Sequence, residues 1–205
     1  VHMEENMIIT ISRQYGSGGS QVAKILAERM GVWCYDRDIL TIAAERIGNE
    51  ELTEDTINDL DYKRNDVASA GITGVMGMGN IPIYNQMFLE QAKIIRKLAN
   101  YGSAVFLGRC ADYILKDIKN CTSVYLYADR EFRKNRVKEI YGSNAEIMDK
   151  EEKNRADYYN YYTGNRWGDI NNYDFAINTS KVSFEEAADL IYRFAKDKQK
   201  NLKDR

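Results

Sequence analysis

The chain has 205 residues, of which 44% are apolar, and its formal net charge is −2. This length predicts one domain with a buried core, and the near-neutral charge argues against a nucleic-acid partner. No apolar run approaches the roughly 20 residues of a membrane-spanning helix, so no membrane partner is expected. No charged segment leads into an apolar one as in a secretory signal, and we expect a cytoplasmic protein.

The three cysteines, Cys34, Cys110 and Cys121, show no CxxC spacing, and each lies in or beside an apolar run. This pattern favours reduced thiols packed as small core residues over reactive thiols. The single histidine, His2, argues against a catalytic histidine or a histidine metal site.

Strand and helix patterns alternate at the start of the chain. An apolar stretch over 7–11 predicts a buried strand, followed by a glycine turn and by a helix with apolar residues at helical spacing over 22–30. Residues 32–36 predict a second strand, and 38–47 predict a helix that ends at Gly48.

The segment over 49–83 has a different character. It begins acidic, where a helix capped by Thr53 is predicted, and continues with four glycines interleaved with two methionines. Such a sequence is typical of a mobile flap or a contact surface.

Strand and helix patterns alternate again after this segment. Helices are predicted over 84–101, 109–116, 130–141 and 145–162, and strands over 103–108, 122–128 and 173–178. Asp129 is the predicted cap of the third of these helices, and Ser183 with Glu186 predicts a capping box for a last helix.

This alternation predicts a three-layer α/β/α fold with a five-stranded parallel sheet. Ligands of such sheets bind beyond the carboxyl ends of the strands. Residues 12–20, 36–38 and 108–112 follow predicted strands, so we expect them to converge on one cleft.

The glycine turn after the first strand is the strongest candidate site. When Gly18 is aligned with the second glycine of the phosphate-loop pattern GxxxxGK(S/T), Gly19 falls at the lysine and Ser20 at the Ser/Thr. The predicted phosphate-binding residues are Gly16, Ser17, Gly18, Gly19, Ser20 and Gln21, with Ser20 approaching Mg²⁺.

The lysine's positive charge is missing from this loop. Arg13, which falls at the first glycine of the pattern, or Lys24, one turn into the helix, could replace it. The alternative is a glycine turn that binds nothing.

Arginines elsewhere are candidates for binding phosphate. Arg109 follows Gly108 and a predicted buried strand, where it would bind a phosphate or pair with a surface acid. Arg136, Arg155 and Arg166 are candidates for closing over a transferred phosphoryl group. We expect Arg130 and Arg133 to be solvated or paired with acids.

The acids after the second strand and a tyrosine cluster complete the candidates. Asp36 could bind a ribose or base or hold Mg²⁺ through water, whereas Asp38 suits a helix N-cap. Tyr158, Tyr159, Tyr161 and Tyr162 could stack on a base, but their spacing favours two packed inward and two outside.

These stretches together resemble cytidylate kinases, and more closely the cytidylate kinase-like family. ITISRQYGSGGSQVAKILAE aligns without a gap with the phosphate loop of nucleoside monophosphate kinases. AVFLGRCADYIL resembles their Gly-Arg-Asp segment, with Cys110 in place of the aspartate, and YDFAINTSKVSFEEAADLI resembles the closing strand and helix.

The resemblance implies a single P-loop kinase domain over 1–205 with its core at 7–48, 84–141 and 170–198. A monophosphate-binding insertion would lie at about 49–83 and a lid at about 142–167. Nucleotide substrates are the implied partners, with ATP and Mg²⁺ as cofactors. The sequence leaves undecided whether the chain forms a homodimer.

The resemblance also assigns roles to residues. Gly16, Gly18, Gly19 and Ser20 would bind the donor phosphates, and Arg136, Arg155 and Arg166 would belong to the lid. The acceptor would be bound by Asp36, Arg37, Gly108, Arg109 and Asp112, and the catalytic residues would be Arg13, Arg109, Arg155 and Arg166.

The resulting hypothesis is a kinase that transfers the γ-phosphoryl group of ATP to a nucleoside monophosphate or a related small acceptor. One alternative is a catalytically degenerate nucleotide-binding sensor or interaction protein. Another is a scaffold that binds no nucleotide and acts through the glycine–methionine segment.

Overall fold

A computed structural model describes residues 6–48, 52 and 82–204 of the chain. The strands are β1 (Ile8–Arg13), β2 (Trp33–Tyr35), β3 (Ala104–Leu107), β4 (Cys121–Tyr127) and β5 (Phe175–Asn178). The helices are α1 (Gly19–Met30), α2 (Asp38–Ile47), α3 (Ile83–Tyr101), α4 (Ala111–Ile114), α5 (Arg130–Tyr141), α6 (Ala145–Thr163) and α7 (Phe184–Lys203), with a 3-10 turn at Ile170–Asn172.

The five strands form one parallel sheet in the order β2-β3-β1-β4-β5. This confirms the predicted three-layer α/β/α fold. Because β1 lies in the centre, the loop that follows it opens in the middle of the carboxyl edge of the sheet.

Both faces of the sheet are covered, as the uninterrupted burial of β1 requires. Ile8 faces a core shared with α2, α3, α4 and α6. Ile9 and Ile11 face a second core shared with α1 and α7. The two cores hold the central strand rigidly, so the loop at its end starts from a fixed point.

Two local predictions need correction. The helix predicted over 109–116 is only Ala111–Ile114, because Arg109 and Cys110 adopt left-handed backbone conformations that no α-helix contains. Asp38 is the first residue of α2 and not its N-cap, which is Arg37; the Asp38 carboxylate instead accepts from the amide of Asp36.

Other local predictions are confirmed. The capping box between Ser183 and Glu186 is present at the start of α7. The acidic helix at Thr53 and the glycine–methionine segment lie outside the described residues, as does almost all of the predicted insertion. No helix among the described residues is long and apolar enough to cross a membrane.

Candidate phosphate-binding site

The loop between β1 and α1 presents unused backbone amides. Gly16 and Gly18 adopt φ of 81° and 84°, a region that glycine enters freely. Within the described part of the chain, nothing accepts a hydrogen bond from the amides of Gly16, Gly18, Gly19 or Ser20. Since α1 begins at Gly19 with its positive dipole end at the loop, these amides form a cradle for an anion.

The side chain of Arg13 fills the space beside Gly19. A Cβ on residue 19 would lie 2.6 Å from the Cβ of Arg13, closer than real side chains approach. Arg13 is 5% exposed and lines the same cleft as the loop. The arginine at the first position of the loop therefore requires glycine where the pattern has lysine.

Two neighbouring helices press on the loop from outside. A Cβ on Gly16 would lie 2.9 Å from Cγ2 of Val137 in α5, and one on Gly18 would lie 2.6 Å from Cε1 of Phe184 in α7. Gly16 and Gly18 are therefore needed for two reasons: they adopt a positive φ, and they leave room for α5 and α7 to pack against the loop. The loop is therefore held in one conformation before any ligand binds.

Helix α6, in the predicted lid, is joined to the loop by two polar side chains. Arg155 donates from Nη1 to the carbonyl of Arg13 at 3.1 Å, and its guanidinium lies 5.0 Å from the ring centre of Tyr15. The Glu152 carboxylate accepts from the amide of Tyr15 at 2.6 Å and from the indole of Trp167 at 2.7 Å.

The positions of the candidate arginines differ. Arg136 reaches the loop, where Nη2 donates to Oε1 of Gln21 at 2.5 Å, and it lines the cleft together with Arg13 and Arg155. Arg166 is exposed and is not among the residues that line this cleft. Three of the four predicted loop and lid arginines are thus brought together around the cradle.

The two helical arginines expected to be solvated or paired behave differently from each other. Arg130 forms a two-pronged ion pair with Asp149 at 2.6 Å, as expected. The expectation for Arg133 is wrong, because it is buried and donates to the carbonyl oxygens of Ala128 at 3.2 Å and Tyr15 at 3.5 Å. Arg133 supports the loop from behind.

At the ends of β2 and β3, an acid and an arginine meet. Nη2 of Arg109 lies 3.5 Å from Oδ1 of Asp36, which confirms that these two stretches converge. Gly108, Arg109 and Cys110 have φ of 68°, 59° and 55°, so three successive residues are left-handed. Such backbone strain persists only where the surroundings hold it in place. Arg37 is exposed at the start of α2.

Asp112 lies deeper than the other residues assigned to the acceptor. It is 7% exposed, and its Oδ2 accepts from the hydroxyl of Tyr159 in α6 at 2.6 Å. Burial raises the pKa of the Asp112 carboxyl above its ordinary value. This bond joins α6 to the segment that follows Arg109.

The cysteines and tyrosines are packed largely as the sequence predicted, except that Cys34 is only half-buried and that Tyr162 is half-buried and stacks on Phe88 with 4.2 Å between ring centres. Burial raises the pKa of Cys34 to about 11 and that of Cys121 to about 12, which makes both thiols poor nucleophiles at neutral pH. Tyr158 and Tyr159 are buried, whereas Tyr161 is exposed.

Sequence patterns did not indicate Glu152 or Phe184 as neighbours of the loop. Both contacts depend on how distant helices dock, and a helical glutamate or phenylalanine carries no local signal of its partner. The spacing of Glu152 and Arg155 places them on one face of α6, which was the available hint.

The comparisons with known proteins agree with this fold. No curated protein is a significant match to the sequence. An uncharacterized protein from Eubacterium ventriosum is 32% identical, with 94% of this chain and 99% of that chain covered and a TM-score of 0.68.

Two more distant structures are kinases. A shikimate kinase from Acinetobacter baumannii, solved with shikimate, is 16% identical, with 93% of both chains covered and a TM-score of 0.51. A gluconokinase from Sinorhizobium meliloti is 14% identical, with 94% of this chain and 95% of that chain covered and a TM-score of 0.54. The sequence profile of the cytidylate kinase-like family matches residues 8–181, and the chain belongs to this family.

Proposed function

We propose that the protein is a cytoplasmic, ATP-dependent kinase that transfers the γ-phosphoryl group to a nucleoside monophosphate or a related small acceptor. One observation carries the proposal: four loop amides that have no acceptor among the described residues share a cleft with Arg13, Arg136 and Arg155. Amides and guanidinium groups around one cavity suit a polyphosphate.

In this proposal Arg13 supplies the positive charge that a lysine at residue 19 would supply. Its position at the first residue of the loop, against Gly19, supports this role. Phosphoryl transfer depends mainly on positioning and on neutralising charge, and a guanidinium remains charged at any working pH. Arg136 from α5 and Arg155 from α6 would add further positive charge.

The residues present fit a magnesium ion bound with the nucleotide. Among the described residues no three acidic, histidine or cysteine side chains are grouped to hold a metal by themselves. Mg²⁺ commonly binds through one or two side chains together with substrate phosphates and waters. The exposed hydroxyl of Ser20, in the first turn of α1, would hold the ion, which would neutralise phosphate charge.

The acceptor would bind where β2 and β3 end. Asp36 and Arg109 form the ion pair there, with Arg37 beside them and Gly108 before the strained turn. Asp112 would hold the segment that follows Arg109 in place through its hydrogen bond from Tyr159.

Turnover of ATP tests the proposal, with a panel of nucleoside monophosphates, nucleosides and other small hydroxyl compounds as acceptors. We expect transfer to at least one acceptor, and a loss of that transfer in Arg109→Ala. Rates no higher than those of Arg109→Ala for every acceptor would refute a kinase function.

A nucleotide-binding sensor without transfer is the second candidate. It is favoured by Gly19 in place of the lysine and by Glu152, whose carboxylate already takes the amide of Tyr15. Measurable affinity for ATP or ADP by titration calorimetry, without transfer to any acceptor, would select the sensor.

A further inference from the structure

Helix α6 packs against the body of the protein along most of its length, although it lies in the segment 142–167 that the resemblance assigns to a lid. Four of its side chains are buried: Met148, Tyr158, Tyr159 and Thr163. Met148 lies one turn into the helix and is 0% exposed, and Thr163 is the last residue. Because both ends are buried, α6 cannot swing outward as a rigid body without exposing apolar surface to water.

Two tyrosines attach the second half of α6 to α3 and α4. The ring of Tyr162 stacks on Phe88 of α3, and its hydroxyl donates to Oδ1 of Asn85 at 3.2 Å. The hydroxyl of Tyr159 donates to the buried carboxyl of Asp112 in α4 at 2.6 Å. An outward movement of α6 would break both hydrogen bonds and leave a buried carboxyl without this donor.

Glu152 attaches the first half of α6 to the phosphate loop. Its Oε2 accepts from the amide of Tyr15 at 2.6 Å, and its Oε1 accepts from the indole of Trp167 at 2.7 Å. Glu152 does not line the phosphate cleft, so its carboxylate holds the loop from outside. One turn further along, Arg155 lines the cleft and donates to the carbonyl of Arg13 at 3.1 Å. The carboxylate therefore fastens the helix, and the guanidinium faces the cleft.

The turn that follows α6 is fixed against the sheet. The amide of Trp167 donates to Oδ1 of Asn160 at 2.7 Å, and its ring packs edge-on against Tyr125 of β4 with 5.5 Å between ring centres. Gly168 has a φ of 73°, and a Cβ there would lie 3.1 Å from the hydroxyl oxygen of Tyr125. The glycine thus lets the turn lie close to the sheet. Since the indole is held in this way, it holds the Glu152 carboxylate in turn.

We infer that α6 is a fixed wall of the phosphate cleft and that Glu152 is the positioning residue that holds it against the loop. Arg155 then stands beside the loop before a nucleotide arrives, and the nucleotide does not need to draw the helix inward. Preorganised charge of this kind strengthens binding and helps to neutralise a transferred phosphoryl group. The catalytic benefit rests on the proposed kinase function, whereas the fixed position of α6 does not.

Hydrogen exchange of two N–H groups in the ligand-free protein tests the fixed wall without any assumption about activity. The amide of Tyr15 and the indole of Trp167 both donate to Glu152, and we expect each to exchange at least about 10²-fold more slowly than in the unfolded chain. Glu152→Gln offers one acceptor oxygen to two donors and should speed both about tenfold or more. Glu146→Gln, a change at an exposed acid in the first turn of α6, is the matched control and should leave both rates unchanged.

Tryptophan fluorescence shows whether a nucleotide moves the helix. The chain has two tryptophans, and Trp33 is exposed and does not line the cleft, so Trp33→Phe leaves Trp167 as the reporter. We expect saturation with ADP and Mg²⁺ to leave acrylamide quenching of Trp167 unchanged. With Glu152→Gln added, quenching should be stronger in the free protein, ADP should reduce it, and the Kd for ADP should rise about tenfold, because binding must first restore the wall. An ADP-induced change in Trp33→Phe alone, or equal Kd values in the two proteins, would overturn the inference.

The fixed wall and the proposed function fail in different ways. Slow exchange at both N–H groups in a protein that binds neither ATP nor ADP by calorimetry would refute the kinase function and leave the wall standing. Rapid exchange at both groups in a protein with full kinase activity would refute the inference alone.

Discussion

Arg13 and Gly19 occupy one shared space at the start of the phosphate loop. A Cβ on residue 19 would lie 2.6 Å from the Cβ of Arg13 and 3.4 Å from its Cδ. The two departures from the usual loop pattern are therefore one coupled exchange: the cation at the first position of the loop requires a residue without a side chain at the seventh.

Adding a single methyl group at residue 19 should destabilise the fold. Overpacking a site of this kind typically costs about 1–3 kcal/mol of unfolding free energy, and we expect that cost for Gly19→Ala by urea denaturation. Gly102→Ala is the matched control, because nothing lies within 4 Å of a Cβ there. An equal loss of unfolding free energy in the two variants would show that the Arg13 side chain moves aside without cost.

Removal of the Glu152 carboxylate should loosen the join between α6 and the loop. Glu152→Ala leaves two donors, the amide of Tyr15 and the indole of Trp167, without their acceptor. Such a loss costs about 1–3 kcal/mol of unfolding free energy. The neighbouring Glu151→Ala should cost clearly less, and indole fluorescence should shift only in the Glu152 variant. An unshifted spectrum with equal stabilities would argue against the join.

The buried carboxyl of Asp112 should make the free energy of unfolding depend on pH. Burial raises the pKa of Asp112 above 3.8, so the folded protein keeps the proton at a pH where the unfolded chain has lost it. The stability contributed by this group is therefore greatest below about pH 4 and falls as pH rises through the raised pKa.

The variant Asp112→Asn removes this pH dependence, since the side-chain amide can still accept a hydrogen bond from Tyr159 but cannot ionise. We expect the unfolding free energy of Asp112→Asn minus that of wild type to be larger at pH 7 than at pH 4, so that the variant gains stability relative to wild type as the pH rises. A difference between the two proteins that is the same at both values would contradict the burial of an ionisable carboxyl.

Magnesium dependence tests the position of Ser20. We expect EDTA to abolish transfer, and Ser20→Ala to raise the Mg²⁺ concentration needed for half-maximal rate while leaving the unfolding free energy within about 0.5 kcal/mol. Ser17 is buried in the loop and is unsuitable as a control. The half-buried Ser143, which lies outside the loop, serves instead as the stability control in the variant Ser143→Ala. An unchanged Mg²⁺ requirement in Ser20→Ala would place the ion elsewhere.

Much of the fold follows from local patterns. The continuous apolar run of β1, the helical spacing of α1 and the capping box at Ser183 each depend on neighbours in sequence, so they could be predicted. The convergence of Asp36 and Arg109 also follows, because parallel strands end at one edge.

The supporting contacts of the site could not be predicted in the same way. Arg133 was expected to be solvated or paired with an acid but is buried behind the loop, because α5 docks against Gly16 through Val137. The left-handed turn at Arg109 and Cys110 shortened a predicted helix, since neither residue type signals that conformation. Both outcomes depend on tertiary packing between distant segments.

The most direct test of the account exchanges the two coupled residues. γ-Phosphoryl transfer to the best acceptor is measured in Arg13→Gly, Gly19→Lys and the double variant, each first checked for folding by circular dichroism. We predict that either single change lowers kcat about 10²-fold or more, and that the double variant, with a lysine in the usual place, recovers to within about tenfold of wild type. A wild-type rate in Arg13→Gly, or a double variant no faster than the slower single variant, would contradict the claim that Arg13 does the work of the lysine.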